Sequence, residues 1–229
     1  MVPETSAGGA ASFAKALASL KRRGSNLLLV GPAYEAAHLS ASRRFMGDAD
    51  SPRERLLVLT DRDAERETRL PDDADPVRTV EHRSLTRSTA ATRPATSPGP
   101  LSVSGPDGEP HDPLVALGNE VADEIEAADE RAGGLAPGQL RVCLDSLVPL
   151  LEEHDRQRVI AFLHAMTSDV DRVNGMAHYH LPVSADAEVV GFIEPLFDAV
   201  VELRVGTDGP QQRWTLTDGR GSTDWLALG

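Results

Sequence analysis

Lysine is nearly absent from this chain: Lys15 and Lys21 are the only two, and arginine carries the rest of the positive charge. With 36 Asp and Glu against 23 Lys and Arg, the formal net charge is −13. A surface so short of cations tells against nonspecific nucleic-acid binding, which depends on neutralising phosphates. The same acidity keeps a protein dissolved in concentrated salt, while self-repulsion destabilises the fold when salt is removed. Cysteine is represented by Cys143 alone. That excludes an internal disulfide, fits a reducing compartment, and reads as a small core residue rather than a nucleophile. Aromatics make up only 4% of the residues, so the core must be built from Leu, Val and Ala. No apolar run reaches membrane-spanning length and no secretory apolar segment opens the chain. The expected location is cytoplasmic, with no membrane contact. There are no internal repeats.

What is present suffices for a real core: 229 residues, 40% of them hydrophobic. Phe13, Leu17 and Leu20 recur at helical spacing, and Lys21 to Arg23 and Gly24 suit the end of that helix. Asn26 to Val30 is an apolar run of strand length that stops at Gly31-Pro32, and Tyr34 through Met46 reads as a helix. Leu56 to Leu59 and Val77 to His82 read as further strands. After Leu59 the carboxylates of Asp61, Asp63 and Glu65 alternate, but the spacing of a calcium loop is missing, and an acidic helix start is the better reading. From Arg83 to Pro113 Ser, Thr, Pro and Gly dominate, which predicts a flexible loop within one domain spanning residues 1–229.

Leu114, Leu117, Val121, Ile125 and Ala128 mark an amphipathic helix ending before Gly133-Gly134. It delivers the chain to Leu140–Leu144, a strand apolar enough to be buried on both faces, which runs into Asp145 and Ser146. Asp155 is the expected N-cap of a long helix bearing Val159, Phe162, Leu163, Met166 and Val170. In the following strand, Gly175 to Leu181, alternation puts His178 and His180 on one face. With a carboxylate they would make a metal site. No helical His pair or Cys cluster accompanies them, and packing or sheet-edge histidines is the reading favoured. Val189 to Phe197 reads as an apolar helix, and Ala199 to Val205 with Gln211 to Thr217 as a closing hairpin, with Trp225 as a hydrophobic plug. Alternating helices and strands define an α/β domain with a mainly parallel sheet.

A carboxylate at the carboxyl end of a parallel strand stands where open α/β sheets bind ligands. It equally suits an Asp that satisfies loop amides or caps the next helix. In nucleotide-hydrolysing P-loop proteins this position holds Mg²⁺, so the strand, turn and helix at Gly31 decide the matter. A phosphate-binding loop beginning at Gly31 would need Gly, Lys and Ser or Thr where Ala36, Ala37 and His38 stand. The backbone approach to phosphate, the cation on the β/γ-phosphates and a Mg²⁺ ligand are thereby lost. His38 could hydrogen-bond a phosphate, but an exposed helix-surface histidine is the expectation.

Ser25 to Pro32, Arg141 to Leu147 with its Asp-Ser pair, and Phe197 to Arg204 resemble the RecA-like core of the KaiC/RadA/GvpD superfamily, in particular a degenerate haloarchaeal branch. The resemblance extends over about residues 10–218. It implies a RecA-like three-layer α/β sandwich with a mainly parallel central sheet and a C-terminal hairpin, descended from nucleotide-binding regulators. By position Asp145 matches the Mg²⁺-coordinating Asp, the only metal ligand to be expected if Mg²⁺ binds at all. Thr60-Asp61 stands where KaiC-like members place catalytic Glu residues. The expectation is a non-hydrolysing regulatory or interaction domain with a vestigial nucleotide site at Gly31, His38, Asp145 and Ser146. No cofactor is expected; the partner is a protein or a second copy of the chain, and nucleic acid is not expected. The rival reading is a weak Mg²⁺-dependent ATPase or nucleotide-binding regulator; a third, a DNA-associated factor, runs against the acidic charge.

Overall fold

The computed structural model describes residues 15–20, 22–32, 35–48, 52–61, 69–70, 77–82, 112–219 and 221–228. Eight strands form one sheet: β1 (Ser25–Val30), β2 (Glu54–Leu59), β3 (Val77–Glu81), β4 (Leu140–Leu144), β5 (Met176–Leu181), β6 (Ala199–Gly206), β7 (Gly209–Leu216) and β8 (Leu226–Ala227). Their order is β3-β2-β4-β5-β1-β6-β7-β8. The first six run parallel to one another, whereas β7 runs antiparallel to both β6 and β8. Every residue of β1 is buried, and so are Val142, Cys143 and Leu144 of β4, as expected of central parallel strands covered on both faces.

Helices cover each face. Helix α1 (Glu35–Met46) lies on one side with the helical segment 15–20; α2 (Pro113–Ala132), α3 (Val148–Glu153), α4 (Arg156–Arg172) and α5 (Glu188–Ile193) lie on the other. The α2/α4 side holds the larger core, built from Leu117, Val121, Ile125, Val159, Leu163 and Val170 against Leu28, Val142, Leu144 and Tyr179. The α1 side packs Ala37 and Ala41 against Leu27, Leu29 and Val201. Two small residues one turn apart let α1 lie close to the strands, so polar side chains beside that stripe are sealed from water. This is the RecA-like three-layer arrangement that the sequence predicts.

The ends of the elements follow local chemistry. Asp112 caps α2, its Oδ1 accepting from the Leu114 amide at 3.1 Å, and Gly133 closes the helix in the left-handed conformation at φ 66°. Asp155 stands at the N-cap of α4 as predicted, yet makes no side-chain capping bond. The C-terminal carbonyls of α1 are held by arginines from the sheet. Arg55, fully buried at the start of β2, donates to the carbonyls of Met46, Gly47 and Asp48 at 3.2, 3.2 and 2.7 Å. Arg141 of β4 adds a bond to Phe45 O at 3.3 Å.

The apolar helix over 189–197 is α5 followed by a 3₁₀ turn at Glu194–Leu196, because Pro195 cannot continue the α-helical ladder. Trp225 is no plug: it is partly exposed, with the Arg204 and Arg213 guanidiniums 3.8 and 4.8 Å from its ring centroid. The buried side chains there are Trp214 and Leu228. The loop predicted at 83–113 and the carboxylates Asp63 and Glu65 lie outside the described residues, apart from Asp112 and Pro113.

Candidate functional site

The carboxyl ends of β1, β2, β4 and β5 bring Gly31, Thr60, Asp145 and His180 to one end of the sheet. Asp145 is 1% exposed, and loop amides occupy it. Its Oδ1 accepts from the Thr60 amide at 2.7 Å and from Thr60 Oγ1 at 2.9 Å, and its Oδ2 accepts from the Asp61 amide at 3.3 Å. Thr60 Oγ1 also lies against the Ser146 carbonyl. Burial raises the Asp145 pKa above the ordinary carboxylate value, against the pull of these bonds and of the Arg69 charge. Ser146 turns its hydroxyl to the Val148 amide at 3.3 Å, at the first turn of α3. Of the two structural roles open to this pair, Asp145 takes the loop and Ser146 the helix start.

Gly31 has φ 147° and its amide donates to the Val183 carbonyl at 2.8 Å. A Cβ there would overlap the Leu203 carbonyl of β6. Glycine is therefore demanded by the close approach of a neighbouring strand, with no phosphate needed to explain it.

His38 departs most from expectation. It is buried at 5% exposure, not on the helix surface, because it flanks the Ala37–Ala41 stripe that faces the sheet. Its Nδ1 lies 2.8 Å from His180 Nδ1, and its Nε2 lies 3.4 Å from the Gly31 carbonyl. His180 Nε2 is 2.9 Å from Ser42 Oγ, which is 3.7 Å from Cys143 Sγ. A carbonyl only accepts, so the tautomers along this chain are fixed. His38 Nε2–H donates to Gly31 O; His180 Nδ1–H donates to His38 Nδ1; Ser42 Oγ–H donates to His180 Nε2; and Cys143 S–H donates to Ser42 Oγ. One polarised chain thus ties β4, β5, α1 and the end of β1 together inside the protein.

His178 shares that face, as alternation predicts, and pairs in register with Cys143. It lies on a central strand, not a sheet edge, and its Nε2 is buried with no hydrogen-bond partner among the described residues. Desolvation drives His38 down to about 4 and His178 down to about 3, with the Arg69 cation adding to both effects. Desolvation, then repulsion from His178 and His38, puts His180 well below its usual value. All three rings are neutral at pH 7. The Cys143 thiol is pushed up to about 12 by burial, so as a free group it is inert. Donor atoms of Cys143, His178 and His180 lie within 4.8 Å of one another. The donor atoms of His82, Glu153 and His154 lie equally close together nearer the surface, with His82 Nε2 3.6 Å from Glu153 Oε2.

The sequence alone brings Gly31, His38, Asp145 and Ser146 forward, and the fold does gather them at one end of the sheet. What it does not reveal is that each already has an internal partner, or that Ser42, Thr60, Arg69 and Cys143 belong to the same cluster. The usable signal is helical spacing: buried Ala37 and Ala41 and half-buried Phe45 define a stripe facing the sheet, and His38 and Ser42 lie one residue beside it.

Sheet order, the two helical layers and the closing hairpin define the class of protein: a RecA/KaiC-like α/β fold. A KaiC-like protein of known structure from the hyperthermophilic archaeon Pyrococcus horikoshii superposes with a TM-score of 0.52, at 11% identity, over 87% of this chain and 81% of that one. At that identity the likeness is one of fold. Residues 24–203 match the model of DUF7504, a family of unknown function, and the chain belongs to that family. No curated protein sequence matches it. Among the described residues, no helix is long and apolar enough to cross a membrane.

Proposed function

We propose that this chain is a non-hydrolysing, degenerate RecA/KaiC-like domain that acts by binding a protein partner or a second copy of itself. The observation that carries the reading is the use of Asp145: Thr60 and Asp61 take both its oxygens. At 1% exposure, Asp145 lies beneath the loop it holds, which a hydrated Mg²⁺ would have to open to reach the carboxylate. His38 is likewise spent on His180 and Gly31, and Ala37, where a phosphate-binding lysine would stand, is buried against the sheet. No ATP or Mg²⁺ is needed to explain Gly31, His38, Asp145 or Ser146.

For the interaction role, support comes from the hairpin edge. Val205 and Leu226 are 48% and 45% exposed. Strand parity places both on the sheet face that carries Leu203, Trp214 and Leu216, so they extend the α1-side core into solvent. The acidic, arginine-dominated composition fits a haloarchaeal cytoplasm.

The test is calorimetric titration of the whole chain with Mg²⁺-ATP in molar KCl, with phosphate release followed alongside. No binding heat at sub-millimolar nucleotide and no turnover are expected. Tight Mg²⁺-ATP binding by the natural protein, lost in Asp145→Asn, would establish the weak ATPase instead.

A further inference from the structure

The geometry points to a buried zinc-class metal site on the α1 face of the sheet, with Cys143 Sγ, His180 Nε2 and the orphaned Nε2 of His178 as protein ligands. It is distinct from the nucleotide position at Asp145. The donor set is one thiolate and two imidazoles, which suits a borderline-soft divalent ion and not the hard, oxygen-seeking Mg²⁺.

Three observations converge on it. One donor atom from each of Cys143, His178 and His180 lies within 4.8 Å of the others, and tetrahedral bonding at about 2.3 Å to sulfur and about 2.0–2.1 Å to nitrogen would draw the ligand atoms to roughly 3.3–3.6 Å. Binding therefore requires the three side chains to close by rotamer adjustment. Next, His178 is 2% exposed and its Nε2 meets no partner among the described residues, a costly state for a buried polar nitrogen that an ion would relieve. Third, the hydrogen-bond chain from Gly31 fixes the His180 tautomer. His38 takes the Nδ1–H, so the Nε2 lone pair is directed at Ser42 and the Cys143 side of the pocket. Ligating histidines depend on such an outer partner to hold the ring and raise its basicity. His38 is a positioning residue in that sense, and Ser42 Oγ or a water takes the fourth place.

On binding, the Cys143 S–H bond breaks, a metal–sulfur bond forms, and the proton leaves to solvent; no electron is transferred. Both imidazoles bind neutral, and His180 exchanges the Ser42 hydrogen bond for the metal. The thiolate and the nearby Asp145 carboxylate offset the charge of the ion against Arg69, whose cation bears on the same cluster. The ion would join β4 to β5 beneath α1, stiffening the sheet next to the Gly31 turn that His38 holds.

The site is closed, so loading accompanies folding. The whole chain is to be unfolded, freed of metal with chelator, and refolded in molar KCl with Co²⁺ or Zn²⁺. Expected are one tightly held ion per chain, a thiolate-to-cobalt charge-transfer band, and a higher melting temperature with Zn²⁺ than with chelator. His154→Ala, which disables the second His/Glu cluster, should leave the band intact, whereas Cys143→Ser and His178→Gln should each abolish it. His38→Gln should weaken the metal about 10–100-fold without removing the band, as loss of an outer-shell partner does. If a ligand variant does not refold, the natural protein decides alone. No retained metal, cobalt bound without a sulfur band, or a melting temperature indifferent to Zn²⁺ would each overturn the site.

Discussion

A histidine buried without an anionic partner folds in its neutral form, and that choice carries a pH signature. In the metal-free chain His178 is held down to about 3, His38 to about 4 and His180 well below its usual value, chiefly by desolvation, with neighbouring positive charge adding to it and, at His38, the Gly31 hydrogen bond opposing it. The unfolded chain titrates near 6.5. Above that pH neither state is protonated and the full stability is present. As pH falls from about 6.5 towards about 4 the unfolded state takes up protons that the folded state refuses. Stability then falls by about 1.4 kcal/mol per pH unit for each histidine. Asp145 works in the opposite sense: its folded pKa is raised, so its charged form costs stability at higher pH and that cost fades as pH falls. Three groups outweigh one. The melting temperature in chelator should drop between about pH 7 and pH 5, with a slope shallower in His178→Leu, which removes one buried ring. A flat or rising profile would mean the rings are solvated or charge-paired. Asp145→Asn tests the neighbouring claim. Replacing an acceptor-only group by an amide mispairs the Thr60 or Asp61 amide, and a loss of about 1.5–3 kcal/mol is expected in denaturant melts. Unchanged stability would mean that the carboxylate is not integral to the loop.

At the scale of elements, the C-terminus of α1 rests on side chains from strands far along the chain. Arg55 holds the carbonyl of Met46, the last residue of α1, and those of Gly47 and Asp48 just beyond it, and Arg141 holds that of Phe45. An arginine suits this role because its planar fork reaches several acceptors at once, which a lysine cannot do. Arg55→Lys, which can reach fewer of these acceptors, should therefore lower stability measurably and Arg55→Leu by about 2–4 kcal/mol, since the latter leaves the buried Met46 carbonyl and its part-buried neighbours without their donor. Equal stability of the three proteins would remove α1 capping as the reason for a buried cation. These elements differ in how far they can be read from sequence. The strands are legible because Leu27–Val30, Leu56–Leu59 and Val142–Leu144 are short apolar runs stopped by turn residues, and only a strand covered on both faces needs such a run. The hairpin is legible from Gly206 and Gly209-Pro210. By contrast, α3 and β8 span six and two residues, too few for a period to show. The burial of His38 and Arg55 depends on what the other face supplies. A histidine meets His180 and an arginine meets helix carbonyls only after chain segments more than a hundred residues apart, or a helix end and the following strand, have been brought together. Asp145 illustrates the same limit: its position at a strand end is plain in the sequence, while its commitment to Thr60 and Asp61 depends on the adjacency of β2 and β4.

For the molecule as a whole, the governing quantity is charge. At −13 over 229 residues, with only two lysines, the folded chain confines an excess of carboxylates to one surface. Specific pairs relieve part of it: Arg23 with Asp198, Arg131 with Glu54, Arg156 with Glu188, Arg158 with Asp112 and Arg213 with Glu202 each join separate elements. Such exposed pairs contribute roughly 0–1 kcal/mol each and salt screens them. Added salt therefore has two opposed effects: it weakens those five attractions and it weakens the general repulsion. The repulsion acts among many more groups and over longer distances, so its loss outweighs the loss of the pairs as the Debye length shrinks from about 10 Å at 0.1 M to about 3 Å at 1 M. The melting temperature should rise across this range and continue upward into molar KCl, where salt also strengthens the effective burial of apolar surface. Most of the gain should come below about 1 M if screening dominates, because little repulsion remains to be screened beyond it. To separate the two contributions, KCl is to be compared with an uncharged excluded osmolyte such as sucrose. Sucrose should reproduce the high-salt part of the rise and none of the low-salt part. A melting temperature that is flat or falling between 0.1 and about 1 M KCl would show that the ion pairs, and not the excess of carboxylates, dominate the electrostatics of this fold.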